Sequence, residues 1–128
     1  MLRLSLRDGE RVVVNGAVLR ARGRTELAVE NGAAVLRGRD VMTPEQAVTP
    51  ARSLYLSLML AYVDEPGRAR HQDEVVARVR DLLGALEAQD TRAALMRVVE
   101  LAARGEWYPA LAQCRALIAY EDAALARA

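Results

Sequence analysis

The chain has 128 residues, 52% apolar and 27% charged, with a formal net charge of +1. That length makes one ordinary domain or two small modules, and the composition is that of a folded chain rather than a disordered one. The near-neutral total excludes a global electrostatic pull toward nucleic acid or membrane, and a single cysteine excludes an internal disulfide.

In MLRLSLRDGE, Leu2, Leu4 and Leu6 alternate with Arg3, Ser5 and Arg7. A period of two puts the leucines on one face of a strand and the arginines on the other. Asp8-Gly9 supplies a turn, RVVV at 11–14 a second strand, and Asn15-Gly16 a strong hairpin signal. AVLRA follows, then a break at Arg22-Gly23-Arg24. TELAVE at 25–30 alternates again, and Asn31-Gly32 turns into AAVLRG. Residues 1–40 therefore predict a five-strand antiparallel meander.

After Asp40 the pattern changes. Thr43-Pro44-Glu45-Gln46 has the form of a capping box with Pro at the first helical position, and Thr49-Pro50 repeats the start for a longer helix. Leu54, Tyr55, Leu58, Met59 and Tyr62 stripe that helix, and Asp64-Glu65-Pro66-Gly67 ends it. Val75, Val76, Val79, Leu82, Leu83 and Leu86 predict a helix over about 70–88. Another begins near Asp90-Thr91 and stops at Gly105. The last carries Trp107, Leu111, Cys114, Ile118 and Leu125 in near-heptad register. The expected fold is α+β: an antiparallel β module over 1–40 packed on a bundle of four to five helices over 41–128.

The longest apolar stretch, LYLSLMLAYV at 54–63, is about half of what a bilayer span needs. The N-terminus has no signal-peptide h-region, so a cytoplasmic location is expected.

Catalytic equipment is sparse. His71 is the only histidine and sits in the polar start of a helix. With one distant Cys it makes neither a zinc site nor a Cys–His nucleophile. Cys114 reads as a packing thiol on its apolar stripe. Glu121-Asp122 are neighbours that point different ways on a helix, which is wrong for an acid/base dyad. No glycine-rich phosphate loop occurs. The expectation is a non-enzyme without cofactor or metal.

The arginines carry the remaining signal. Residues 1–40 hold eight Arg against five Asp/Glu, and residues 41–128 hold ten against twelve. Lys is absent altogether, so Arg in place of Lys says nothing about phosphate recognition. Arg3 and Arg7 share a strand face, Arg37 and Arg39 another, and Arg20, Arg22 and Arg24 are spaced by two. Aligned, they form a basic surface for phosphates; otherwise they are a solvated outer face partly neutralised by Glu26 and Glu30. The first aromatic residue is Tyr55, so this sheet has no platform for stacking bases. In the helices, Tyr108 and Tyr120 are candidate protein-binding anchors, with bundle core as the alternative for such aromatics.

VVVNGAVLR (12–20), RTELAVEN (24–31), VLRGRDVMTPEQA (35–47), TPARSLYLSLMLAYV (49–63) and CRALIAYED (114–122) together resemble the FlbT family of bacterial flagellar regulators. The resemblance runs through nearly the whole chain, and LRGRDVMTP is its most specific piece. It implies post-transcriptional control of flagellin: association with the 5′ untranslated leader of flagellin mRNA, promotion of its degradation or a block to its translation, and work alongside FlaF. Some members of that family act positively. A shorter likeness joins Met1-Leu2, Leu4, Arg7, Gly9-Glu10, Val14 and Val18 to the start of the carbon storage regulator family. Those are strand-exchanged dimers that hold RNA on their first and last strands. This likeness implies RNA contacts at Leu4 and Arg7 on the first strand and at Arg37 or Arg39 on the fifth. It departs at Leu6, where that family has a contacting arginine, and the helical region has no counterpart there.

The expected partner is thus the flagellin mRNA leader, bound without a membrane. A homodimer would cover open sheet edges. The alternative is an adaptor whose helices hold FlaF or flagellin.

Overall fold

The computed structural model describes residues 1–127, which form two compact units. The first comprises Met1–Val41 with Val63–Glu65, and the second comprises Met42–Tyr62 with the chain from Pro66 onward.

The first unit contains β1 (Leu2–Leu6), β2 (Arg11–Val14), β3 (Ala17–Arg20), β4 (Thr25–Val29) and β5 (Val35–Arg37). All pairings are antiparallel, but the strands do not form a meander. β1 pairs with β4, while β2 lies between β3 and β5 in a separate three-stranded sheet. The cause lies in the connections at Asp8-Gly9 and Arg22-Gly23-Arg24. Backbone hydrogen bonds run from Gly9 N to Ala21 O (2.8 Å) and from Ala21 N to Glu10 O (2.9 Å), and the Gly23 N–H donates to the Asp8 carboxylate at 2.7 Å. Segments 7–10 and 21–24 are laced to each other, so β1 leaves one sheet and β2 enters the other. Only Asn15-Gly16 closes a tight hairpin, with φ of 51° and 86° at its central residues, as a type I′ turn requires. Asn15 also binds Ala34 through both backbone and side chain at 2.8 Å, steering the chain into β5. Asn31-Gly32 therefore makes no hairpin between β4 and β5.

The core of this unit lies between the two sheets. Leu4, Leu6, Val12 and Ala21 are buried there, with Val14, Val29 and Val35 packed against them. β2 is buried on both faces, since Val13 and Leu36 are covered too. Leu2, expected beside Leu4 and Leu6, sits at the strand's fraying end and is exposed. β3 is exposed along its length.

In the second unit the Thr43–Gln46 capping box forms, with Thr43 N–H donating to the Gln46 side chain at 2.9 Å, but it starts only the 3-10 turn Pro44–Gln46. The helices are α1 (Pro50–Val63), α2 (Arg68–Ala85), α3 (Gln89–Ala103) and α4 (Trp107–Arg127). The α1 stripe is buried at Leu54, Tyr55, Leu58 and Met59, facing a core that includes Leu95, Val98, Leu111 and Cys114. Arginines terminate two helices: Arg68 donates to the Ala61 carbonyl at 2.7 Å, and Arg92 donates to those of Leu83 and Leu86 at 3.1 and 2.9 Å. The last helix turns further than a heptad predicts. Ala110 and Leu117 join the core, while Leu125 is exposed.

Candidate nucleic-acid interface

The eight arginines of the first unit differ in kind from those of the second. Among the described residues, only Arg37 meets a carboxylate in the first unit, at Glu10 Oε2 (3.2 Å). Arg3, Arg7, Arg11, Arg20, Arg22, Arg24 and Arg39 are exposed, and no side chain or carbonyl holds their guanidinium groups. In the second unit, carboxylates hold Arg52, Arg78, Arg97 and Arg104, carbonyl oxygens hold Arg68 and Arg92, and the Tyr55 hydroxyl holds Arg115. Arg11 and Arg20 stand directly opposite each other on β2 and β3. A cross-strand pair of like charges opposes folding, by about 0.2–1 kcal/mol as such pairs go.

One cleft gathers three of these arginines. It has a volume of about 660 Å³ and is lined by Ser5, Leu6, Arg7, Asp8, Glu10, Arg24 and Arg37. Its two acids are already engaged. Asp8 accepts from Gly23 N–H (2.7 Å), and Glu10 accepts from Arg7 N–H (3.0 Å) through Oε1 and from Arg37 through Oε2. Arg37 also donates to the Ser5 carbonyl at 3.3 Å. The guanidinium groups of Arg7 and Arg24 remain unengaged at its wall.

The expected RNA contacts divide accordingly. Arg7 and Arg37 come together in this cleft. Leu4 does not reach the surface: it is 4% exposed, in the core between the sheets. Arg39 is exposed but stands apart from the cleft, and it does not share a strand face with Arg37, because β5 ends at Arg37 and Arg39 belongs to a 3-10 turn, Gly38–Asp40. The residues that sequence reasoning missed are Arg24, noted only as one of a spaced series, and Glu10. The Asp8–Gly23 bond brings Arg24 to the cleft, and no local pattern encodes a contact across 15 residues.

In the second unit Tyr108 is 39% exposed and its ring tilts against Tyr62, with centroids 6.0 Å apart. Tyr120 is exposed beside a hollow of about 600 Å³ lined by Leu82, Leu86, Leu117 and Glu121 among others. A third hollow, of about 370 Å³, lies between α2 and α3 and is lined mainly by valines, alanines and Trp107. Among the described residues no group of His, Cys, Asp and Glu is arranged to hold a metal ion, and no helix is long and apolar enough to cross a membrane.

These features define a small α+β protein whose β unit carries an excess of unengaged cationic side chains. Its sequence matches the family model "Flagellar protein FlbT" over residues 2–125, and the chain belongs to that family. It is 37% identical over 122 residues to the "Flagellum biosynthesis repressor protein FlbT" of Caulobacter vibrioides strain CB 15, an alignment covering 94% of this chain and 86% of that one. The "Probable flagellum biosynthesis repressor protein FlbT" of Caulobacter sp. strain K31 is also 37% identical, over 94% of this chain and 93% of the relative. That of Agrobacterium fabrum is 33% identical over 94% and 81%. No solved structure matches the chain.

Proposed function

We propose that the protein is a regulator of flagellum biosynthesis that binds the 5′ untranslated leader of flagellin mRNA and lowers its translation or lifetime. The regulatory role follows from membership of a family whose relatives are named flagellum biosynthesis repressors. The observation that carries the RNA reading is the division of the arginines: those of the β unit other than Arg37 are left unengaged, while most of those of the helical unit have partners. Unengaged guanidinium groups release counterions on meeting phosphates without first breaking an internal ion pair. With no stacking aromatics in the β unit, recognition rests on arginines and backbone groups. The protein would then act by occluding the ribosome site or recruiting a nuclease.

The test is titration of labelled leader RNA against a scrambled leader at low and physiological salt. Tight binding that favours the leader is expected. Equal binding to both that vanishes at physiological salt would sink direct recognition. Arg39→Glu is the cleaner single probe, because Arg39 is exposed and unengaged, whereas Arg37→Glu would set a carboxylate against Glu10. The variant should bind the leader more weakly and melt as the native protein does.

A second reading, an adaptor for FlaF or flagellin, is favoured by the apolar hollow between α2 and α3, where Val76 is 49% exposed. Binding there would tolerate salt and respond to substitution of Val76 rather than Arg39.

A further inference from the structure

The Arg7–Arg24–Arg37 cleft is a more specific object than a basic surface, because it contains its own competitor. Glu10 projects into it, with one carboxylate oxygen tied to the Arg7 N–H and the other to the Arg37 guanidinium. Asp8 is turned to the Gly23 N–H. The walls therefore carry three guanidinium groups against two carboxylates: Arg37 is paired with Glu10, Asp8 is turned to a backbone N–H, and Arg7 and Arg24 make no ion pair.

We infer that this cleft is a phosphate-binding site, in which Arg7 and Arg24 grip a backbone phosphate of RNA and Arg37 joins them by exchanging Glu10 for a phosphate oxygen. The inference rests on the RNA-binding reading and narrows it to one site. Three features support it. Guanidinium forks match phosphate oxygens in pairs, which suits three arginines around one anion. The Arg37–Glu10 pair is about one-third exposed on each side, so it is weak enough to exchange. The cleft wall is also pinned by hydrogen bonds, with Arg7 N–H on Glu10 and Gly23 N–H on Asp8, so the arginines on either side of it are presented from a fixed frame.

Glu10 gives the inference a signature that a plain basic patch lacks. In Glu10→Gln the amide oxygen still accepts from the Arg7 N–H, so the turn persists, but the charge competing for Arg37 is gone. That variant should bind leader RNA several-fold tighter than the native chain. Arg24→Ala removes an exposed, unengaged side chain, so the fold is kept. It should weaken binding several-fold and lower the slope of log affinity against log salt by about one. Arg11→Ala serves as the comparison elsewhere on the β unit.

The experiment is leader-RNA titration of the native chain and these three variants, with thermal melting as the control for folding, beside an NMR titration with inorganic phosphate. Tighter binding by Glu10→Gln together with weaker binding by Arg24→Ala bears the site out. If the native chain binds RNA while folded Glu10→Gln and Arg24→Ala bind no differently from it, the site is overturned and the RNA reading stands. If RNA does not bind but phosphate shifts the amide signals of Arg7, Glu10 and Gly23, the site holds and the RNA reading fails. If neither ligand registers, both fail.

Discussion

Cys114 sits on α4 without exposed surface, its Sγ 3.7 Å from the Ala51 carbonyl oxygen, to which it makes a weak thiol hydrogen bond. Burial, assisted by the nearby Glu121 charge and opposed by Arg115, pushes the thiol up to about 12. An ordinary cysteine titrates near about 8.5, so the unfolded chain loses its thiol proton first. The contribution to stability is complete below about 8.5 and drains away as pH rises toward 12. Urea midpoints measured across that window should fall more steeply for the native chain than for Cys114→Ala, and a thiol reagent should label Cys114 only on unfolding. α1 begins under an acid from near the other end of the chain. Glu121 accepts from the Ala51 N–H at 3.0 Å, and Arg52 grips Asp122 through two bonds of 2.8 and 3.0 Å. That pairing holds the Asp122 carboxyl below its usual range. Glu121 and Asp122 thus clamp α4 to the start of α1, and both reach the Arg52 guanidinium although neighbours on a helix were expected to diverge.

At the level of elements, two glycines mark turns that the chain makes without tertiary help. Gly105, with φ of 74°, ends α3 in a Schellman motif: the Glu106 N–H reaches the Leu101 carbonyl at 2.9 Å and the Gly105 N–H that of Ala102 at 3.0 Å. Gly16 has φ of 86°, and a Cβ there would stand 3.2 Å from the Val63 carbonyl oxygen. Gly105→Ala should cost about 1–2 kcal/mol from backbone strain alone. Gly16→Ala should cost more, because a carbonyl must also move. Thermal or urea unfolding of the two variants checks the order, and equal losses would mean that Val63 yields freely. The start of α1 was legible in the same local way, since Thr49 caps it through its hydroxyl as Thr-Pro predicts, with Arg52 N–H donating at 3.3 Å. The strands were legible one at a time. Apart from β2 with β3, their partners were not, because pairing β1 with β4 depends on contacts between residues 8–10 and 21–23.

Over the whole molecule, a net charge of +1 conceals a basic segment over residues 1–40, with eight Arg against five Asp/Glu, and an acidic remainder over 41–128, with ten against twelve. Sequence counting found that imbalance. It did not find that most of the helical arginines are held by carboxylates, backbone carbonyls or a hydroxyl. The physical consequence is a salt dependence that belongs to one unit. Leader affinity should fall linearly on a log–log plot against salt. Arg24→Ala and Arg39→Glu should flatten that slope, while Arg97→Ala, whose partner is Glu100, should leave it unchanged. A slope indifferent to the β-unit arginines would move attention to the apolar hollow between α2 and α3.

The sequence by itself determined the division into a strand-forming first third and a helical remainder, because periods of two and of 3.6 are local properties of side-chain order. It also determined the Thr49 cap of α1, the stop of α3 at Gly105, the Asn15-Gly16 hairpin and the basic bias of the opening segment. Only the tertiary structure decided that Leu4 is core, that Arg24 joins Arg7 and Arg37, and that Glu10 stands among them. Those facts follow from hydrogen bonds between residues far apart in the chain, which spacing along the sequence does not encode.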